Sequence, residues 1–270
     1  MKYLVPTDFS DNAFDALRYA LDMARVSGAE VHVVSALAFP PSTAGTTGSL
    51  AIRMKEDAQA KMNQLLESVK ELGASVEPYI REGSVVSTIL AVAEEIGPEL
   101  VIMGTKGSTG LESAVLGSVA AKVIEKSATP VLAIPQNVPF TGLSKLAYAT
   151  DLQKGGPVTA GRILELTAAF GTRVDIVHIF PVKEEPPYVQ LDLLRKEIQA
   201  DELNRTVKYH LHRNDDIQEG LMNFMDASEP DALAMVTKKR NLFKKLIDPS
   251  LTRRVAMNAS MPLLTFQSEV

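Results

Sequence analysis

The sequence predicts an α/β protein made of two tandem copies of one domain, each a five-stranded parallel sheet with helices on both faces. Three observations carry that reading. The chain aligns with itself in two long registers. Short apolar runs alternate with helical patterns along each half. The runs are near-continuously apolar, as strands are when a sheet is covered on both faces.

A shift of 143 positions aligns Lys2, Thr7, Asp8, Leu21, Gly28, Val31 and Val34 with Lys145, Thr150, Asp151, Leu164, Gly171, Val174 and Val177. A shift of 132 aligns Arg81, Pro98, Met103, Thr105, Lys106, Ser118, Val123, Pro130 and Leu132 with Arg213, Pro230, Met235, Thr237, Lys238, Ser250, Val255, Pro262 and Leu264. The 11-residue difference falls where Pro40 to Thr47 faces Pro181 to Pro187, a stretch rich in Pro, Gly and hydroxyl residues. Such self-similarity marks a duplicated unit. The joint is expected near Val138 to Leu143, with domains at 1–138 and 143–270.

In the first half the strands are expected at Tyr3–Val5, Val31–Leu37, Val76–Ile80, Leu100–Met103 and Val131–Ile134, by their length and β-branched content. The first helix starts at the cap Ser10, carries Leu17, Ala20, Leu21 and Ala24 on one face, and stops at Gly28. A second spans about Leu50 to Leu72 before Gly73. A third runs from Val85 to Ile96 before Gly97-Pro98, and a fourth from Ser118 to about Ser127. The second half repeats this plan, with Pro157 near a helix start and Gly171 as its stop.

Bulk composition narrows the function. Of 270 residues, 46% are hydrophobic and 23% charged, and the net charge of -5 gives no support to a general nucleic-acid binder. Cysteine is absent, which excludes disulfides and thiolate metal sites. The sequence has neither a secretory leader pattern at Met1 nor an apolar stretch near the roughly 20 residues of a membrane span, so a cytoplasmic location is expected.

In such sheets ligands bind beyond the carboxyl ends of the strands, where strand order reverses. Two ends carry unusual residues. The first strand runs into Pro6-Thr7-Asp8-Phe9-Ser10. The fourth runs into Met103-Gly104-Thr105-Lys106-Gly107-Ser108-Thr109-Gly110, followed by Gly117-Ser118 at a helix start. Gly104 and Gly107 would allow positive φ and close backbone approach to an anion, and the helix start at Gly117 and Ser118 favours phosphate. Lys106 could add a charge at the outer phosphates. Asp8 could accept from a ribose hydroxyl or help hold a divalent metal. A blander reading stands beside this one: glycines after a strand serve turns, and Ser118 serves as a structural N-cap. The loop is neither a Walker motif nor a dinucleotide fingerprint, because the glycine spacing differs.

Gly104-x2-Gly107-x9-Gly117-Ser118 resembles the ATP-binding signature of the universal stress protein family. The likeness extends to Pro6-Thr7-Asp8-Phe9-Ser10 and to the Ser-Ala-Thr-Pro-Val run before the fifth strand. The whole chain resembles a tandem two-domain member, ATP-binding in its first domain and degenerate in its second. The resemblance implies a Rossmann-like sheet of order 3-2-1-4-5. It implies ATP held by Pro6, Thr7, Asp8, Ala36, Met103, Gly104, Gly107, Gly117, Ser118 and Val119, with adenine met by backbone near Ala36 and Met103. A magnesium or manganese ion would accompany the phosphates.

The second half departs at decisive places. Gly104 becomes Val236, Gly107 becomes Lys239 and Gly117 becomes Pro249, while Ser250 is kept, so this half is expected to be nucleotide-free. The basic stretch from Lys238 to Arg254 reads as a solvated helix face over buried apolar residues. The sharper alternative is a docking patch for an acidic partner, a phosphate group or a membrane surface. His32 is expected in the core. His210 and His212 share a strand face without a third ligand, which is weak grounds for a metal site.

An ATP-binding stress-response regulator is the expected function, with nucleotide occupancy of the first domain modulating an unidentified protein partner. A slow ATPase or phosphotransferase in the same crevice is the alternative, and a nucleotide-free scaffold a further one. No dedicated catalytic set is suggested by spacing, and no catalytic residue is assigned. The edge strands Val131–Ile134 and Leu263–Phe266 are expected to pair, within the chain as a pseudo-dimer or between chains in a homodimer.

Overall fold

The protein is described by a computed structural model covering residues 1–38, 47–72, 74–105, 116–153, 155–199, 207–237 and 261–267. The chain divides into two compact units, Met1–Phe140 and Thr141–Val270.

The first unit runs β1 (Lys2–Pro6), α1 (Asp11–Ser27), β2 (Glu30–Leu37), α2 (Thr47–Glu71), β3 (Glu77–Glu82), α3 (Val85–Ile96), β4 (Leu100–Gly104), α4 (Ser118–Lys126) and β5 (Val131–Ile134). Its strands are all parallel, in the order β3-β2-β1-β4-β5. Right-handed crossovers then place α1 and α2 on one face and α3 and α4 on the other, and α3 packs on α4. Burial on both faces explains the unbroken apolar runs. Tyr3, Leu4 and Val5 of β1 are all buried, as are all four residues of β5. The edge strand β3 is largely exposed.

Local chemistry fixes the helix ends. The Ser10 hydroxyl accepts from the Ala13 N–H at 3.3 Å to open α1, and Asp11 lies in the first turn, where the dipole favours an anion. Gly28 closes the helix at φ 69°, its N–H donating to the Ala24 carbonyl at 2.8 Å. The expected cap of α4 needs correction: Gly117, not Ser118, is the N-cap, without a side-chain cap bond, and Ser118 is the first helical residue.

The second unit runs β6 (Lys145–Ala149), α5 (Gly156–Thr167), β7 (Arg173–Phe180), α6 (Tyr188–Gln199), β8 (Val207–Arg213), α7 (Ile217–Ser228), β9 (Ala232–Thr237) and β10 (Leu263–Gln267). Its order, β8-β7-β6-β9-β10, is the same 3-2-1-4-5 plan, again all parallel. A short 3-10 turn, Ala168–Phe170, carries α5 to the stop at Gly171, φ 63°. The helix expected between β9 and β10 lies outside the described residues, as does the basic stretch from Lys238 to Arg254. His32 is buried as expected, at 7% exposure.

Both units close their amino end in the same way. The Asp231 Oδ2 accepts from the N–H and hydroxyl of Ser144 and the N–H of Lys145, at 2.7 to 2.8 Å. The Lys145 ammonium donates to the Ser228 carbonyl. In the first unit the Lys2 N–H donates to Glu99 Oε2 at 2.5 Å, and the Lys2 ammonium to the Ile96 carbonyl at 3.4 Å.

Candidate functional site

The order reversal lies between β1 and β4, which pair through Tyr3↔Leu100 and Leu4↔Val101. Their carboxyl ends therefore open side by side, with β2 flanking β1. Pro6, Thr7 and Asp8 stand at the end of β1, Ala36 near the end of β2, and Met103 and Gly104 at the end of β4. Ala36 is partly exposed where the rest of β2 from Val31 onward is buried.

The β1 end is a built turn. The Thr7 N–H donates to the Val34 carbonyl at 2.8 Å, one residue beyond the strand. The Thr7 hydroxyl accepts from the Phe9 N–H at 3.0 Å. The Asp8 carboxylate accepts from the Ser10 N–H at 3.1 Å and the Ser10 hydroxyl at 2.5 Å. Phe9 sits at φ 61°, a left-handed conformation that costs a non-glycine residue about 1–2 kcal/mol. The Thr7 and Asp8 bonds on either side of it offset that cost.

The β4 end meets the start of α4. The Thr105 N–H donates to the Ile134 carbonyl at 2.9 Å, and its carbonyl accepts from the Gly117 N–H at 2.5 Å. That last bond brings Gly117, Ser118 and Val119 next to the end of β4. The first amides of α4 have no acceptor within the helix, which is the physical basis for anion affinity at such an end. Ser118 is exposed and Val119 half-buried. Gly107, with Lys106, Ser108, Thr109 and Gly110, lies outside the described residues. Nine of the ten residues expected to touch nucleotide thus lie toward the carboxyl ends of the neighbouring strands β1, β2 and β4 or at the start of α4.

One sequence reading changes. Gly104 is not among the positive-φ glycines, so it is not glycine for left-handed backbone. Gly104 is glycine because of a neighbour that spacing could not reveal. A Cβ there would fall inside contact distance of the Asn12 carboxamide and 2.9 Å from the Asn12 backbone oxygen. Asn12 is buried in the first turn of α1.

The second unit keeps the turn. The Thr150 N–H donates to the Val177 carbonyl (3.0 Å), the Leu152 N–H to the Thr150 hydroxyl (3.1 Å) and the Gln153 N–H to Asp151 (3.1 Å). Leu152 repeats the left-handed conformation at φ 56°. At the place of Ser35 stands His178, whose Nδ1 is 2.8 Å from the Thr150 carbonyl. Val236, next to last in β9, holds the place at which Gly104 ends β4, each pairing with the last strand of its unit. Lys239 and Pro249 lie outside the described residues.

Fold and site define a Rossmann-like α/β protein with a crevice at the reversal point of its first sheet. The model of the "Universal stress protein family" matches residues 1–135 and again 143–267. The chain belongs to the universal stress protein family, as a tandem two-domain member. Among its relatives, universal stress protein MJ0531 of Methanocaldococcus jannaschii is 31% identical over 137 residues, 49% of this chain and 81% of that one. The crystal structure of a universal stress protein from Archaeoglobus fulgidus DSM 4304 covers 98% of this chain and 96% of its own, with a TM-score of 0.74. At 18% identity that is a likeness of fold. A universal stress protein solved in complex with cAMP is 24% identical, covering 51% of this chain and 98% of its own at a TM-score of 0.41.

Among the described residues no helix is long and apolar enough to cross a membrane. None of their His, Cys, Asp and Glu side chains form a group of three that could hold a metal ion.

Proposed function

We propose that the first unit binds ATP in the crevice between the ends of β1 and β4, and that occupancy modulates binding of a protein partner. The observation that carries the proposal is the Gly117-to-Thr105 hydrogen bond, which sets the start of α4 beside Gly104 and the Thr7–Asp8 turn. The adenine would lie against backbone near Ala36 and Met103. The phosphates would meet the amides of Gly117, Ser118 and Val119, and the Gly104-to-Gly117 loop that contains Gly107.

A magnesium or manganese ion fits this donor set as a companion of the phosphates. Magnesium takes one or two carboxylates plus phosphate oxygens and keeps several waters, and Asp8 supplies the carboxylate at the rim. When bound, the ion would neutralise phosphate charge. The chain's own groups orient the nucleotide through the Asp8 turn and the α4 amides.

The second unit is proposed to be nucleotide-free. Val236 adds a side chain at the strand end, and the His178 ring occupies the Thr150 carbonyl beside it.

The test is calorimetric titration of the full chain with ATP and magnesium, after heat-release analysis of copurified nucleotide. One ATP per chain, lost in Gly107→Lys, is expected. Two per chain would overturn the silent second unit, and no heat at millimolar ATP would overturn the reading altogether.

A further inference from the structure

The junction between the first helix and the fourth strand is built twice in this chain, with the bulk on opposite sides. In the first unit the helix side carries Asn12 and the strand side Gly104, where a Cβ would meet the Asn12 carboxamide and its backbone oxygen. In the second unit the same places hold Gly155 and Val236. A Cβ at Gly155 would meet nothing within 4 Å. The helix start also differs. Asn12 lies inside α1, which opens at Asp11, whereas Gly155 is the N-cap of α5, two positions later in the shared register. Where the strand end carries a side chain, the helix has given up both its side chain and its first residues.

The exchange separates two roles that glycine at the strand end could have. Gly104 needs no positive φ, so its requirement is the room taken by Asn12. A buried carboxamide at 5% exposure is costly to place unless its polar groups are used. An apolar residue of the same size would fill that room equally well. The choice of asparagine here, at the strand end that carries the base of the glycine loop, points to a function for its polar atoms.

We propose that Asn12 is a positioning residue of the nucleotide site. Its carboxamide, lying on Gly104, fixes the Gly104–Thr105 junction and through the Thr105 carbonyl the Gly117 amide, so that loop base and helix start face one ligand. This inference rests on the proposed ATP binding by the first unit. It goes beyond that reading in assigning a role to a residue outside the nucleotide-contact set and in making Gly104 glycine for the sake of Asn12.

The experiment compares Asn12→Thr and Asn12→Val in the full chain, by thermal melting and ATP titration. The two side chains share a shape and differ in polarity, so packing against Gly104 changes equally in both. Asn12→Thr is expected to stay within about threefold of wild-type affinity, and Asn12→Val to lose about tenfold at a closely similar melting temperature. Equal affinities in the two variants would reduce Asn12 to a spacer and overturn the proposal. A wild-type chain that gives no ATP heat would instead overturn the reading beneath it.

A second arm needs no ligand. Gly104→Ala alone should lower the melting temperature, and Asn12→Gly with Gly104→Ala should recover part of the loss, the backbone oxygen contact remaining. A Gly104→Ala chain as stable as wild type would remove the steric premise.

Discussion

Removal of the Asp231 carboxylate should loosen the second unit much more than removal of Glu99 loosens the first, although the two residues hold the same place. Asp231 receives three hydrogen bonds, from both donors of Ser144 and the N–H of Lys145. Glu99 receives one from the Lys2 N–H, in an exposed setting. A typical intramolecular bond contributes about 1 kcal/mol net. The exposed Ser144 donors can turn to water, so Asp231→Ala is expected to cost about 2 kcal/mol and Glu99→Ala about 0.5 kcal/mol. Two units in one chain make a single unfolding free energy ill-defined. Hydrogen exchange read by mass spectrometry separates them, and about 2 kcal/mol corresponds to roughly 30-fold faster exchange in the amides of β6, β7 and β9. Equal acceleration in both units, or a change below about threefold for Asp231→Ala, would refute this account of the clamp.

Other consequences follow from the same geometry. Ser10→Ala removes both the α1 cap and the hydroxyl on Asp8, and should cost about 1 kcal/mol in melting experiments while weakening ATP binding. Gly220 packs α7 on β7 so closely that an added Cβ would lie 2.7 Å from Ile179 and 2.9 Å from Asn214. Gly220→Ala should therefore destabilise the second unit by about 1–3 kcal/mol in urea unfolding. Burial, and then the neighbouring His210, hold the His212 pKa below its usual value, with its ring edge-on to Phe224. The fold thus favours neutral His212, and the unfolded chain binds the extra proton first. The stability this contributes is present above about pH 6.5 and is lost as pH falls through the lower folded value. The drop in melting temperature between pH 7.5 and pH 5.5 should be smaller in His212→Gln.

Much of the architecture was legible because it rests on local signals. Apolar runs such as Leu100–Met103 and Val131–Ile134 mark strands buried on both faces. Ser10 and Gly28 announce the ends of α1 by chemistry that operates within four residues. The duplication was visible in identities such as Thr7 with Thr150. Its meaning was not, since the repeated left-handed Phe9 and Leu152 carry no glycine to advertise them. Ser118 looked like a cap because serine usually is one, yet the chain enters α4 through Gly117, tied back to Thr105.

By itself, then, the sequence determined the family, the doubled α/β plan and the segments that meet at the strand ends. Hydrophobic periodicity and capping act over a few residues and leave a readable trace. Only the tertiary structure decided why particular residues stand there: Asn12 against Gly104, Asp231 beneath Ser144, His178 against the Thr150 carbonyl. Those pairs are far apart in the chain. They come together through the strand order, and steric exclusion and hydrogen bonding at such contacts leave no periodic signal along the chain.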